Sequence, residues 1–88
     1  MHGGTLTQRG NWQDRAMRRL TPRQLEVLAL MAEGQNNTDI ARSLAITERA
    51  VVGHTSQIYE RLDLAADESG HRRVLAVVRY LHHVLPAA

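Results

Sequence analysis

Apolar side chains recur with a helical period through most of this chain. Thr21 can cap a helix whose first position is Pro22, where the missing N–H costs nothing. The pattern then predicts one buried stripe at spacing i, i+3, i+4, i+7, formed by Leu25, Leu28, Ala29 and Ala32. Gly34 ends this helix, because glycine readily adopts the left-handed conformation that follows a last turn.

Two further helices follow at close spacing. Asn36 or Asn37 can cap a short helix, which carries the apolar set Ile40, Ala41 and Leu44. Ala45 and Ile46 make a tight connection, and Thr47 then caps a longer helix with Glu48 in its first turn. The inner face of that helix is predicted to carry Val51, Ile58 and Leu62.

The sequence pattern is less regular toward the two ends of the chain. Residues 63–70 form a polar break, and a fourth helix from about His71 is expected to bury Val74, Val77, Val78, Leu81 and Leu85. At the other end, residues 1–10 are polar and are expected to be disordered. Asn11 can cap a short helix with Asp14 as its partner, and a stripe of Trp12, Ala16 and Leu20 follows. We expect Trp12 to be a packing anchor.

No segment alternates with a period of two, so the sequence predicts an all-α fold without a sheet. We expect a four-helix domain over residues 20–85 and an N-terminal extension over residues 1–19, either an arm or a short added helix. The short helix, tight turn and capped third helix are typical of a helix-turn-helix motif. The pattern alone does not exclude a helical bundle that turns a tight corner.

Composition narrows the possible functions. The chain has 88 residues, no cysteine and a net charge of +2, and all of its basic residues other than histidine are arginine. Disulfides and thiolate metal sites are therefore excluded, and neither a signal peptide nor a membrane-length apolar run is present. We expect a soluble, cytoplasmic protein. Five arginines near the start of the chain could contact phosphates or could belong to a solvated linker: Arg9, Arg15, Arg18, Arg19 and Arg23.

Residues 20–81 resemble the LuxR-type (GerE-like) DNA-binding domains. The resemblance is carried by the run 20–28 (LTPRQLEVL), by Gly34, by the run 37–41 (NTDIA), and by Leu44, Ile46 and Thr47. It continues with Val51, His54, Ile58 and the pair Arg61 and Leu62. The resemblance implies a four-helix domain whose third helix, about 48–62, enters the DNA major groove, and whose last helix often pairs two copies.

The DNA-binding residues are expected on the cap and polar face of that third helix. They are Thr47, Arg49, Val52, Gly53, Ser56 and Gln57. Val52 departs from the family, which usually has lysine or another polar residue there, so the face has less positive charge than expected. Val52 could contact a thymine methyl group, or it could indicate weak DNA binding or a protein partner. We expect His54 to be structural.

The sequence offers little support for an enzyme or a metalloprotein. No catalytic constellation, glycine-rich phosphate loop or metal-ligand cluster stands out, so we expect no enzyme activity, metal or cofactor. The late histidines His71, His82 and His83 are expected at the surface. We expect a homodimer on double-stranded DNA that uses Leu75, Arg79 and His82. The alternative for Leu75 is that it packs against the N-terminal helix and Trp12. The alternative is a protein-binding module similar to region four of sigma factors, with RNA polymerase as its partner.

Overall fold

The computed structural model describes residues 15–66 and 71–85, and every regular element within these residues is a helix. Residues 15–18 are helical, and four longer helices follow: α1 (Pro22–Ala32), α2 (Asn37–Leu44), α3 (Glu48–Arg61) and α4 (Arg72–Val84). The predicted all-α, four-helix order is confirmed. The predictions for residues 1–10 and for Asn11, Trp12 and Asp14 lie outside the described residues.

Side-chain caps begin the first three of these helices. Thr21 Oγ1 accepts the Gln24 N–H at 3.1 Å while Gln24 Oε1 accepts the Thr21 N–H at 3.0 Å, a complete capping box. Asn36, rather than Asn37, caps α2 in the same reciprocal way with Asp39. Thr47 Oγ1 accepts the Ala50 N–H at 3.0 Å. The predicted caps Thr21 and Thr47 are therefore confirmed.

The same three helices end in one backbone motif. At the end of α2 the Ile46 N–H bonds to the Ala41 carbonyl at 2.9 Å and the Ala45 N–H bonds to the Arg42 carbonyl at 3.3 Å. This is a Schellman motif, which places one residue in the left-handed region. Gly34 (φ 89°), Ala45 (φ 56°) and Asp63 (φ 59°) occupy that position in turn. Gly34 was predicted, whereas an alanine gives no such sequence signal.

Ala45 offers a direct test of this geometry. An L-residue in the left-handed conformation costs about 1–2 kcal/mol, and the greater freedom of glycine in the unfolded chain offsets part of that. Ala45→Gly is therefore expected to raise the free energy of unfolding by about 0.5–1 kcal/mol, seen as a melting temperature about 3–5 °C higher. Gly34→Ala is the reverse control, because its new Cβ would meet no atom within 4 Å. A lower melting temperature for Ala45→Gly would contradict this account.

The core lies where α1 packs against α3 and α4, and α2 completes it against α3. The third helix contributes Val51, Ile58 and Leu62 as predicted, all nearly inaccessible to solvent. The predicted stripe of α1 is partly wrong. Its buried residues are Gln24, Val27, Leu28 and Met31, while Leu25, Ala29 and Ala32 are only half-buried. The helix is rotated from the expected face because the polar side chain of Gln24 has partners inside the domain.

Val77 is half-buried against the core, as predicted. The prediction is otherwise wrong for the most buried side of α4. Its buried residue is Ala76, whereas Val74, Val78 and Leu85 are 60%, 40% and 59% exposed. Arginines turn inward instead. Arg73 donates to the Gln35 carbonyl at 3.0 Å and to Asn37 Oδ1 at 3.1 Å, which ties α4 to the start of α2. Hydrophobicity alone could not identify this face, because small Ala76 permits close packing and the guanidinium groups find acceptors.

Residues before α1 belong to the same core. Ala16, Met17 and Leu20 are buried, so two members of the predicted stripe are confirmed. Arg19 Nη1 donates to the Arg61 carbonyl at 3.2 Å, and Arg61 Nη1 returns a bond to the Arg19 carbonyl at 2.9 Å. This reciprocal pair holds the segment against the end of α3. None of the described helices is long and apolar enough to cross a membrane.

Candidate nucleic-acid interface

The candidate interface begins at the cap of α3. Thr47 is exposed, and its oxygen accepts the Ala50 N–H, which leaves the hydroxyl proton available to donate outward. Glu48, in the first turn, accepts a hydrogen bond from Thr38 Oγ1 of α2 at 3.1 Å. The carboxylate also lies at the positive end of the helix dipole. The two helices of the motif are therefore joined at the end where α3 begins.

Four of the predicted residues share one exposed face of α3. Arg49, Val52, Gly53 and Ser56 are exposed and follow the spacing i, i+3, i+4, i+7. The opposite face carries the buried Val51, Thr55 and Ile58. Thr55 Oγ1 donates to the Val52 carbonyl at 2.9 Å, so its hydroxyl group is satisfied within the helix. The face is thus presented by a helix whose reverse side is fixed in the core.

Gln57 lies at the edge of this face. It is exposed, yet its Oε1 accepts a hydrogen bond from Gln24 Nε2 of α1 at 2.6 Å. Gln24 is itself only 2% exposed and accepts a bond from Arg61 Nη1 at 3.3 Å. Sequence reasoning missed this network, although Gln24 stands at the glutamine position of a capping box. The role of Gln57 in DNA contact stays a prediction.

Positive charge on this face is sparse. Arg49 and Glu48 are both exposed in the first turn, and Glu60 adds a second carboxylate farther along the exposed side. Several other arginines of the described residues make contacts within the domain. Arg19 forms an ion pair with Asp63 at 3.1 Å, and Arg72 lies 4.7 Å from the centroid of the Tyr59 ring. Arg49 is therefore the one basic residue of the Arg49, Val52, Gly53 and Ser56 set.

The histidines are spread over different places. His54 is half-buried on α3, beside the exposed face, and His71 is exposed immediately before α4. His82 and His83 are exposed in the last turn of α4. Across residues 15–66 and 71–85, no three histidine, aspartate or glutamate side chains come together in a group that could hold a metal ion. The structure therefore places the three late histidines at the surface, as predicted.

The three residues predicted to pair two copies differ in their exposure to solvent. Leu75 is 46% exposed and His82 is exposed. Arg79 is half-buried, and its Nη1 donates to the Leu62 carbonyl at the end of α3. Burial lowers the pKa of Arg79, and nearby Asp63 acts in the opposite direction. Because an arginine remains protonated in proteins, Arg79 acts here as a cationic cap on α3.

Comparison with known proteins agrees with the resemblance to LuxR-type domains. A family model described as bacterial regulatory proteins, luxR family, matches residues 18–69, which is more than half of the chain. The chain is 36% identical over 66 residues to transcriptional regulatory protein LiaR of Bacillus subtilis (strain 168), covering 75% of this chain and 29% of LiaR. No solved structure matches the chain significantly.

Two other relatives match over shorter segments. Oxygen regulatory protein NreC of Staphylococcus haemolyticus is 42% identical over 45 residues, covering 51% of this chain and 21% of NreC. Transcriptional regulatory protein LnrK of Bacillus subtilis is 49% identical over 43 residues, covering 49% of this chain and 20% of LnrK. The chain thus spans less than a third of the length of each of these relatives. On the family match and these similarities, the chain belongs to the luxR family of bacterial regulatory proteins.

Proposed function

We propose that this chain is a DNA-binding transcription regulator that inserts α3 into the major groove and binds a two-part site as a homodimer. The observation that carries the proposal is the exposed face of α3. Arg49, Val52, Gly53 and Ser56 lie together on it while the reverse side is buried. An α-helix fits the major groove, and a helix-turn-helix presents its second helix in this manner. The printed names of relatives, such as transcriptional regulatory protein LiaR, support the same role.

The α3 face carries groups that could contact the phosphates of a duplex and groups that could contact its base edges. The Thr47 hydroxyl and the uncapped N–H groups of the first turn of α3 can donate to phosphate oxygens, which sets the position of the helix. The Arg49 guanidinium can donate two parallel bonds to a guanine edge or bind a phosphate. Gln57 would contribute from the side next to α1. The face therefore combines positioning groups with groups that contact base edges.

A second copy of the domain would supply the phosphate contacts that a single domain lacks. One α3 face offers few phosphate contacts, and pairing doubles them while reading two half-sites related by a twofold axis. The exposed surface of α4 suits such pairing. The exposed Val74, Val78 and Leu85 and the half-buried Leu81 recur at spacings of four, three and four residues, the interval of a coiled-coil seam. Leu75 and His82 flank this stripe, whereas Arg79 is bonded within its own protomer.

Site selection tests the function. The whole chain is incubated with random-sequence duplex DNA, bound duplexes are recovered by mobility shift, and enriched sequences are determined. We expect a motif of two related half-sites, separated by about one helical turn or a multiple of it. Failure to enrich any sequence, with weak binding to all duplexes, would overturn the proposal. The sparse charge of the α3 face would then favour the alternative, a module that binds RNA polymerase as sigma region four does.

The pairing surface has its own test. Val78→Glu places a charge within the exposed stripe, and Leu75→Glu places one at its edge; both are expected to bind the selected site as single copies. Affinity should fall at least tenfold, because a half-site complex loses half of its contacts. Ala66→Glu adds the same charge at an exposed position outside α4 and is the control. Analytical ultracentrifugation with operator DNA gives the copy number, and circular dichroism checks the fold. A two-copy complex of wild-type affinity in both variants would exclude this surface.

A further inference from the structure

Two neighbouring residues on the α3 face have no explanation within the domain. Val52 is an apolar side chain that is 50% exposed. Gly53 lies in the middle of α3, and a Cβ added there would meet no protein atom within 4 Å. Its φ is not in the left-handed region that requires glycine. Because glycine destabilises a helix interior relative to alanine, the fold gives no reason for glycine at this position.

A surface outside the domain explains both residues together. The absent side chain at Gly53 allows another molecule to approach the α3 backbone more closely than any other residue would. A close approach at Gly53 brings the adjacent Val52 methyl groups against the same molecule. Valine is β-branched and is held in one strongly preferred rotamer in a helix, so its methyl groups are positioned before contact. The pair therefore forms a small apolar contact point between the polar Arg49 and Ser56.

In a DNA major groove, this contact point has one natural partner. Valine has no side-chain donor or acceptor, so it cannot recognise the hydrogen-bonding edges of adenine, guanine or cytosine. Thymine alone among the four bases presents a methyl group, on C5, in the major groove. Resting on the proposed function, we propose that Val52 is a specificity-determining residue that contacts the thymine C5 methyl group in each half-site, with Gly53 permitting the necessary approach. The ligand class is thus duplex DNA with thymine at this position.

Replacing thymine by deoxyuridine removes the C5 methyl group and leaves base pairing unchanged. After site selection with the whole chain, each thymine of the selected duplex is replaced in turn and affinity is measured by fluorescence anisotropy. We expect one position per half-site where deoxyuridine weakens wild-type binding about fourfold, the effect of one buried methyl group. Val52→Ala should bind the thymine and deoxyuridine duplexes equally. Val84→Ala changes a similarly exposed valine (47%) outside α3 and should retain the fourfold difference.

Gly53→Ala tests the approach itself. Its melting temperature is expected to rise, because alanine favours the helix, while its affinity for the selected site falls severalfold. A selected site with no position sensitive to deoxyuridine would overturn the inference, as would an unchanged thymine preference in Val52→Ala or full affinity in Gly53→Ala. In each of these cases the proposed function stands, because sequence-specific binding is still observed. Absence of any selected site overturns both and points to a protein partner at this face.

Discussion

Gln24→Ala is expected to lower the free energy of unfolding by about 2–4 kcal/mol. The substitution removes three hydrogen bonds of a side chain that is 2% exposed. Each neutral bond contributes about 1 kcal/mol and the bond from Arg61 somewhat more, since its donor is charged. One of the three is the capping-box bond from the Thr21 N–H, which would be left without that partner. An 88-residue domain is stabilised by only about 4–13 kcal/mol in total, so this loss is a large fraction.

Urea denaturation followed by circular dichroism measures the change. Gln35→Ala is a matched control, because it makes the same chemical change at a half-buried glutamine whose side chain accepts one bond, from Ser43 Oγ at 3.0 Å. We expect a loss of about 1 kcal/mol or less there. Similar losses for the two variants would mean that the Gln24 network does not join α1 to α3 energetically.

Arg49→Ala is expected to weaken binding to the selected DNA site by about 1–3 kcal/mol, or roughly 5- to 150-fold. The reason is the loss of a charge-assisted contact from the first turn of α3, where Arg49 is the basic residue of the exposed set. Stability should be unchanged, because the side chain is exposed. Affinities for the selected duplex and for a scrambled duplex are compared at one salt concentration, since phosphate contacts depend strongly on salt.

Arg18→Ala separates base recognition from general charge. Arg18 is also exposed and its removal changes the net charge equally, but it lies before α1 in the segment held at the far end of α3. Its loss should lower affinity for both duplexes to a similar, small extent. Arg49→Ala should instead reduce the ratio between the selected and the scrambled duplex. If both variants reduce the two affinities in parallel, Arg49 contacts only phosphate.

The capped ends of the helices are determined by the sequence alone. Thr21 and Thr47 cap the helices that follow them because a side-chain oxygen one residue before a helix satisfies an N–H that lacks a partner. The exposed face of α3 is equally local. Once Val51, Ile58 and Leu62 are buried, the helical period places Arg49, Val52, Gly53 and Ser56 on the outer side. These parts need no knowledge of what packs against them.

Only the tertiary structure decided which faces of α1 and α4 turn inward. A pattern of apolar residues assumes that hydrophobic burial outweighs the desolvation of polar groups, and it fails where those groups find partners. Gln24 is buried because Thr21, Gln57 and Arg61 satisfy it, and Arg73 turns inward to Gln35 and Asn37. Val74 and Val78 are left exposed as a consequence. Apart from Thr21, these partners are more than thirty residues away in sequence and leave no local signal. The inward faces of α1 and α4 are therefore determined only by how the helices pack together.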